Sequence, residues 1–133
     1  SLLHGGVAAA NSKGSFVYPT LFDNLSESMT ISKEEIFGPV LGVLPVKSME
    51  KALEIANNSN YGLHATVFTQ DVDKAFNMSK NLRCGTVSVN GFSEGDIKTP
   101  FGGYKQSGSL SRDNGTEALD QYLQIKTIWF TLK

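Results

Sequence analysis

A Gly-Pro pair set between two carboxylates and an apolar run constrains this chain more than any other feature. Glu34-Glu35-Ile36-Phe37-Gly38-Pro39 leads into Val40-Leu41-Gly42-Val43-Leu44-Pro45-Val46. Pro39 fixes its own φ, and its ring pushes Gly38 toward extended geometry, so no helix crosses this point. Residues 39–46 then read as a strand of a parallel sheet, buried on both faces. The Glu pair sits in a rigid connection at the mouth of that strand. Open α/β sheets hold ligands at strand ends and the loops beside them. A carboxylate there can accept two hydrogen bonds from vicinal hydroxyls, such as a ribose diol. A solvated pair of charges at a helix end accounts for these residues equally well.

Downstream of Gly38 the apolar spacing alternates between two periods. Ser48 can cap a helix with Met49, Ala52, Leu53 and Ala56 at i, i+3, i+4 and i+7. Asn57-Asn58-Ser59-Asn60 ends it. His64–Thr69 reads as a second strand, and Asp71 caps a second helix with Val72, Ala75, Phe76 and Ser79 on one face. Gly85–Asn90 reads as a third strand. The order predicts an α/β fold: a β-α-β-α-β parallel sheet with helices packed on it.

The flanks are less regular. Residues 1–15 are rich in Gly, Ala and Ser and read as a flexible lead-in or the remnant of a helix. Phe16–Phe22 is β-rich with an internal proline, which predicts an edge strand. Ser32 and Glu35 match a capping box, with room for about one helical turn before the Gly-Pro. Residues 91–110 form a glycine-dense loop, and a loop of that length is usually functional or disordered. Phe92, Phe101 and Tyr104 favour an ordered loop with aromatic anchors. Residues 112–122 read as a helix. Ile125–Leu132 is long and apolar, and an exposed strand of that kind seeks a partner. It is therefore read as an association strand.

The totals remove several classes of function. The chain has 133 residues, 40% hydrophobic and 19% charged, which suits one folded domain. The net charge is −1 and there is no basic stripe, so nucleic acid and anionic membrane are not expected partners. The single cysteine, Cys84, excludes an internal disulfide framework and fits a reducing, cytoplasmic setting. No metal-ligand spacing stands out. Residues 1–6 have no basic lead region and are not expected to be a signal peptide, and the missing initiator Met is expected of a piece of a longer protein.

Three motifs taken together carry a resemblance. Glu35-Ile36-Phe37-Gly38-Pro39-Val40, Asn60-Tyr61-Gly62-Leu63 and Pro100-Phe101-Gly102-Gly103-Tyr104-Lys105-Gln106-Ser107-Gly108 occur in one order. In that combination the chain resembles the carboxy-terminal portion of an NAD(P)-dependent aldehyde dehydrogenase, from about Gly5 onward. The resemblance implies residues 16–122 as the distal half of a catalytic domain and 123–133 as a strand through which copies associate into a homo-oligomer. It implies that Glu35 binds the nicotinamide ribose hydroxyls and that Phe37 packs beside the nicotinamide ring of NAD or NADP. Phe101 and Phe92 fall where the family lines its aldehyde pocket. Gly95-Asp96, Gln106 and Lys126-Thr127-Ile128-Trp129 look most similar to the branch acting on γ-glutamyl-γ-aminobutyraldehyde.

The departures from the family set the limits of the expected function. The family mechanism needs a cysteine thiolate, a glutamate base, an amide oxyanion stabiliser and a dinucleotide-binding sheet. No segment here matches them, and no Gly-x-Gly-x-x-Gly precedes a helix. Cys84 lies where the family has a small residue, and it reads as a buried structural thiol. His64, at a strand start, reads as structural, and His4 as a tail residue. The expected role is one wall of an aldehyde-oxidising site, with no catalytic residue in this chain and no activity alone. The alternative from another class is a non-catalytic module that self-associates.

Overall fold

Two parallel strand pairs carry the architecture. The computed structural model describes residues 1–7, 13–93 and 95–133. It divides into two units, Ser1–Ser59 and Asn60–Lys133.

In the first unit, β1 (Leu2–His4), β2 (Thr20–Phe22) and β3 (Val40–Gly42) form a sheet in the order β1-β2-β3. β1 runs antiparallel to β2, and β2 runs parallel to β3 in the register Thr20↔Val40, Leu21↔Leu41 and Phe22↔Gly42. β2 is thus the middle strand, not the expected edge strand. Pro19 does not obstruct it, because the proline falls one residue before the ladder and Thr20 N–H takes up the bonding, donating to Pro39 O at 2.8 Å. Thr20 is buried, and its Oγ1 accepts from Gly6 N–H at 2.9 Å and donates to Tyr18 O at 2.8 Å.

Part of the expected lead-in is therefore β1; the rest of that reading falls on residues 8–12, outside the described residues. The strand predicted over 39–46 is parallel but short. Val43 N–H still bonds Phe22 O at 2.8 Å, and Pro45, which has no N–H, follows. Its faces are open rather than buried: Leu41 is 63% exposed, because three short strands cover little of it. The capping box does not form. A one-turn 3-10 helix, Thr30–Ser32, comes before it instead, so Ser32 ends a turn rather than starting one.

Helix α1 (Met49–Asn57) begins where its cap predicts, with Ser48 Oγ accepting from Lys51 N–H at 3.2 Å. Met49, Ala52 and Leu53 are half-buried as expected, while Ala56 is exposed and Ile55 is turned in.

The second unit holds β4 (His64–Val67), α2 (Val72–Asn81) and β5 (Thr86–Val89). β4 and β5 are parallel in the register His64↔Thr86 to Val67↔Val89, and α2 packs on both. Strand, helix, strand, helix and strand thus follow in the predicted order as β3-α1-β4-α2-β5, an α/β chain with parallel ladders. Asp71 caps α2, its Oδ1 accepting from Asp73 N–H and Lys74 N–H at 3.0 and 3.1 Å. The half-buried face of α2 is Ala75, Met78 and Ser79; Val72 and Phe76 point outward. The small side chains of Ala75 and Ser79 let the helix approach the strands, which a buried Phe76 would prevent.

After β5 the chain makes a long loop, described at residues 90–93 and from 95 onward. Its base is closed by the backbone pair Phe101–Asp113, with N–H···O distances of 2.6 and 2.7 Å in the two directions. Two of the sequence motifs meet here. Tyr104 N–H donates to Gly62 O at 2.8 Å, Gln106 N–H to Asn60 O at 3.0 Å, and Gly62 N–H to Ser107 Oγ at 3.0 Å. A Cβ on Gly85 would collide with Gly102 O, so the loop backbone lies directly on the start of β5. The helix predicted over 112–122 is a 3-10 helix, Thr116–Tyr122, preceded by Gly115 at φ +64°. Residues 123–133 join no ladder or helix among the described residues, and Trp129 is 89% exposed.

Candidate functional site

The first cleft lies in the first unit where the Glu pair meets β3. Glu34, Glu35, Ile36, Phe37 and Gly38 line a hollow of about 430 Å³ together with Val40. The Gly-Pro pair does set the backbone here, through a γ-turn: Val40 N–H donates to Gly38 O at 2.7 Å across Pro39. The unusual conformation falls one residue earlier, on Phe37, at φ +51°. A bulky residue in that region carries about 1–3 kcal/mol of strain. Phe37 recovers nothing by packing, since it is 90% exposed.

Glu35 is exposed, and among the described residues its carboxylate has no hydrogen-bond or ion-pair partner. One cleft therefore offers a free two-oxygen acceptor and the bare face of an aromatic ring. That acceptor and surface set suits a vicinal diol joined to a flat heterocycle. Both residues singled out in the sequence are brought together here.

The second cleft lies in the second unit. Ser88, Gly91, Phe92, Ser93, Thr99 and Pro100 border a hollow of about 520 Å³ along β5. Phe92 is on its wall. Phe101 is half-buried and held at the base of the loop by its pairing with Asp113, next to Pro100 of that wall.

Sequence reasoning read His64 as structural and did not pair it with Ser88. His64 Nε2 lies 2.9 Å from Ser88 Oγ, and its ring lies against Phe92 with centroids 4.9 Å apart and planes at 50°. The strand period held the signal. His64 stands opposite Thr86, so Ser88, two residues on, shares its face of the ladder.

Cys84 is half-buried at the approach to β5, and its thiol donates to Thr86 O at 3.2 Å. Burial pushes the thiol above its ordinary pKa, against the smaller opposing effects of the Thr86 backbone bond and the Lys105 charge. The protonated form dominates at neutral pH, as a structural thiol requires. Among the described residues no group of three or more His, Cys, Asp or Glu could hold a metal ion.

The chain matches the model of the aldehyde dehydrogenase family over residues 1–128. The NADP/NAD-dependent aldehyde dehydrogenase PuuC of Escherichia coli (strain K12) is 45% identical over 130 residues, 98% of this chain and 25% of that protein. The mitochondrial aldehyde dehydrogenase of Homo sapiens is 49% identical over 127 residues, 96% of this chain and 24% of that protein. The structure of the NAD+ complex of an aldehyde dehydrogenase from Bacillus cereus matches with a TM-score of 0.90 at 46% identity, covering 100% of this chain and 27% of that one. The chain spans about a quarter of the length of the curated relatives it matches. With sequence identity and backbone in agreement along nearly its whole length, this chain belongs to the aldehyde dehydrogenase family.

Proposed function

We propose that this chain forms the cofactor and substrate walls of a site that oxidises an aldehyde to a carboxylate with NAD(P)+ as hydride acceptor. The observation that carries the reading is the pairing of a free Glu35 carboxylate with a strained, exposed Phe37 in one cleft. Strain of this kind persists where surroundings hold it for a purpose. In this reading Glu35 accepts hydrogen bonds from the nicotinamide ribose diol, and Phe37 lies beside the nicotinamide ring. Bound NAD(P)+ supplies the electron sink for the hydride. Phe92 and Phe101 border the aldehyde. In this reading the nucleophile, base and dinucleotide sheet lie outside this chain, since none of its segments matches those of the family.

The finer substrate reading is γ-glutamyl-γ-aminobutyraldehyde, supported by Gly95-Asp96, Gln106 and the Lys126–Trp129 ending. Cytoplasmic location, supported by cysteine usage, belongs to the same reading.

The test is Glu35→Gln in the assembled dehydrogenase. Charge-assisted hydrogen bonds are roughly twice as strong as neutral ones. The NAD(P)+ KM is expected to rise about tenfold, with the aldehyde KM unchanged. An unaltered cofactor dependence would remove Glu35 from the site.

A second reading, self-association through residues 123–133, is favoured by one observation. Ile125, Trp129, Phe130 and Leu132 are exposed, and no hydrophobic side chain among the described residues is fully buried. The expected association strand does not form within the chain, and an exposed apolar segment of this kind is a surface for another copy to cover. Sedimentation of the chain at high concentration is expected to show dimers or larger species, and a clean monomer would rule the reading out.

A further inference from the structure

The Ser88 hydroxyl uses every hydrogen bond it can make. Its Oγ lies 3.0 Å from the Ser93 carbonyl oxygen, which only accepts, so the Ser88 proton points there. Ser93 N–H donates back to the same Oγ at 3.2 Å. A hydroxyl has one proton and two acceptor positions. With its proton committed, Ser88 can only accept from His64 Nε2, 2.9 Å away. His64 Nε2 therefore carries a hydrogen and donates it.

The same imidazole rests against the Phe92 ring. One side chain on β4 thus holds both the Ser93 backbone, through Ser88, and the Phe92 ring. The remaining described bonds of residues 91–99 run within the loop or to Gly115: Gly95 N–H to Ser93 Oγ, Asp96 N–H to Thr99 Oγ1, Lys98 N–H to Asp96 Oδ1, Thr99 to Asp96 O, and Gly115 N–H to Ile97 O. Among the described residues, Asn90 fixes the stem of this turn through Val67 and Thr69, and beyond that stem its bonds to the β4–β5 ladder run through Ser88, with His64 beside it.

We infer that His64 is a positioning residue: through Ser88 and Phe92 it fixes the Gly91–Ser93 turn and so sets how wide an aldehyde the adjoining cleft admits. The inference rests on the reading of that cleft as the aldehyde wall. Phe92 is 72% exposed, so with the imidazole gone little else on the ladder would hold its ring.

The test uses the assembled dehydrogenase and four variants, with kcat and KM measured for propanal, phenylacetaldehyde and NAD+. His64→Phe keeps a ring against Phe92 and removes the donor. Ser88→Ala removes the relay and serves if the first variant does not fold. His64→Gln restores a donor, and Phe92→Ala removes the wall. His64→Phe and Ser88→Ala are expected to shift the phenylacetaldehyde-to-propanal ratio of kcat/KM about fivefold, the effect of one hydrogen bond, through KM rather than kcat. The NAD+ KM should hold, and His64→Gln should recover most of the ratio. Nitrogen-15 NMR of the wild-type enzyme should show His64 as the Nε2–H form. A ratio unmoved by His64→Phe and Ser88→Ala but moved by Phe92→Ala overturns the positioning role and leaves the aldehyde wall standing. A ratio unmoved by Phe92→Ala removes the wall, and the positioning role with it.

Discussion

At Glu35 and Phe37 the backbone is strained and the side chains are bare, whereas at Ser88 the backbone is ordinary strand and the side chains are saturated with one another. The two clefts also differ in what holds them. A proline γ-turn and a left-handed phenylalanine shape the first; a histidine, a serine and an aromatic contact shape the second. The difference separates two jobs. A group proposed to bind something from outside must keep its hydrogen-bonding capacity unspent, and Glu35 has no partner among the described residues. A group that shapes a surface is steadier when all its bonds are made, as Ser88's are.

The largest expected effect would break the second region and leave the first alone. Gly85→Ala places a methyl group against Gly102 O, where only a shift of the loop backbone can make room. A cost of about 3 kcal/mol is expected from overpacking of this kind. Hydrogen exchange should rise across residues 85–108 while residues 20–42 keep their protection. Equal loss in both would mean that the two regions are not held independently.

A smaller effect sharpens the contrast in the first region. Phe37→Gly relieves the left-handed strain and gives up almost no packing, so stability should hold or rise by up to about 1 kcal/mol. Cofactor binding should weaken several-fold over the same change. A clear loss of stability by chemical denaturation would show that Phe37 packs in a way its exposure does not reveal.

The smallest effect concerns α2, which backs the β4–β5 ladder. The Asp71 carboxyl is held below the ordinary carboxylate range, first by the Lys74 backbone N–H and further by the Lys74 ammonium and the Asp73 N–H. A carboxyl depressed on folding adds stability that is present above its unfolded pKa and lost as pH falls through its folded one. The helix should therefore loosen only in acid, below the ordinary aspartate range. Asp71→Asn keeps a capping acceptor and should flatten that acid dependence; an unchanged acid limb would place its origin elsewhere.

How much of this could be read from the residues follows from how local each feature is. Ser48 and Asp71 each act within one turn, and both helices begin where those caps predict. The Gly-Pro break and the cleft at Glu35 and Phe37 depend on neighbours in sequence, and they were legible too. The left-handed Phe37 was not, because the Gly-Pro pair drew the unusual backbone to Gly38. The middle placement of β2 was hidden because Pro19 counts against a central strand only when it falls inside the ladder. Burial of residues 39–46 was misread because an apolar run states what a strand would cover and not what is present to cover it. The His64–Ser88 pair joins residues 24 apart, and only the parallel register shows that they share a face.

The stems of the long loop have a consequence for how such a chain can change over time. Asn90 is clamped to Thr69 by two bonds of 2.8 Å, and Phe101 is clamped to Asp113. The stretch between these anchors behaves as a cassette whose ends stay put. Among the described residues its interior bonds to the framework through Ser88 and Gly115, so an exchange from a relative has few bonds to match. On the proposed reading of this loop as an aldehyde wall, an engineer wanting a different aldehyde would exchange residues 91–99 as a block and carry the matching residue at position 64 along with them.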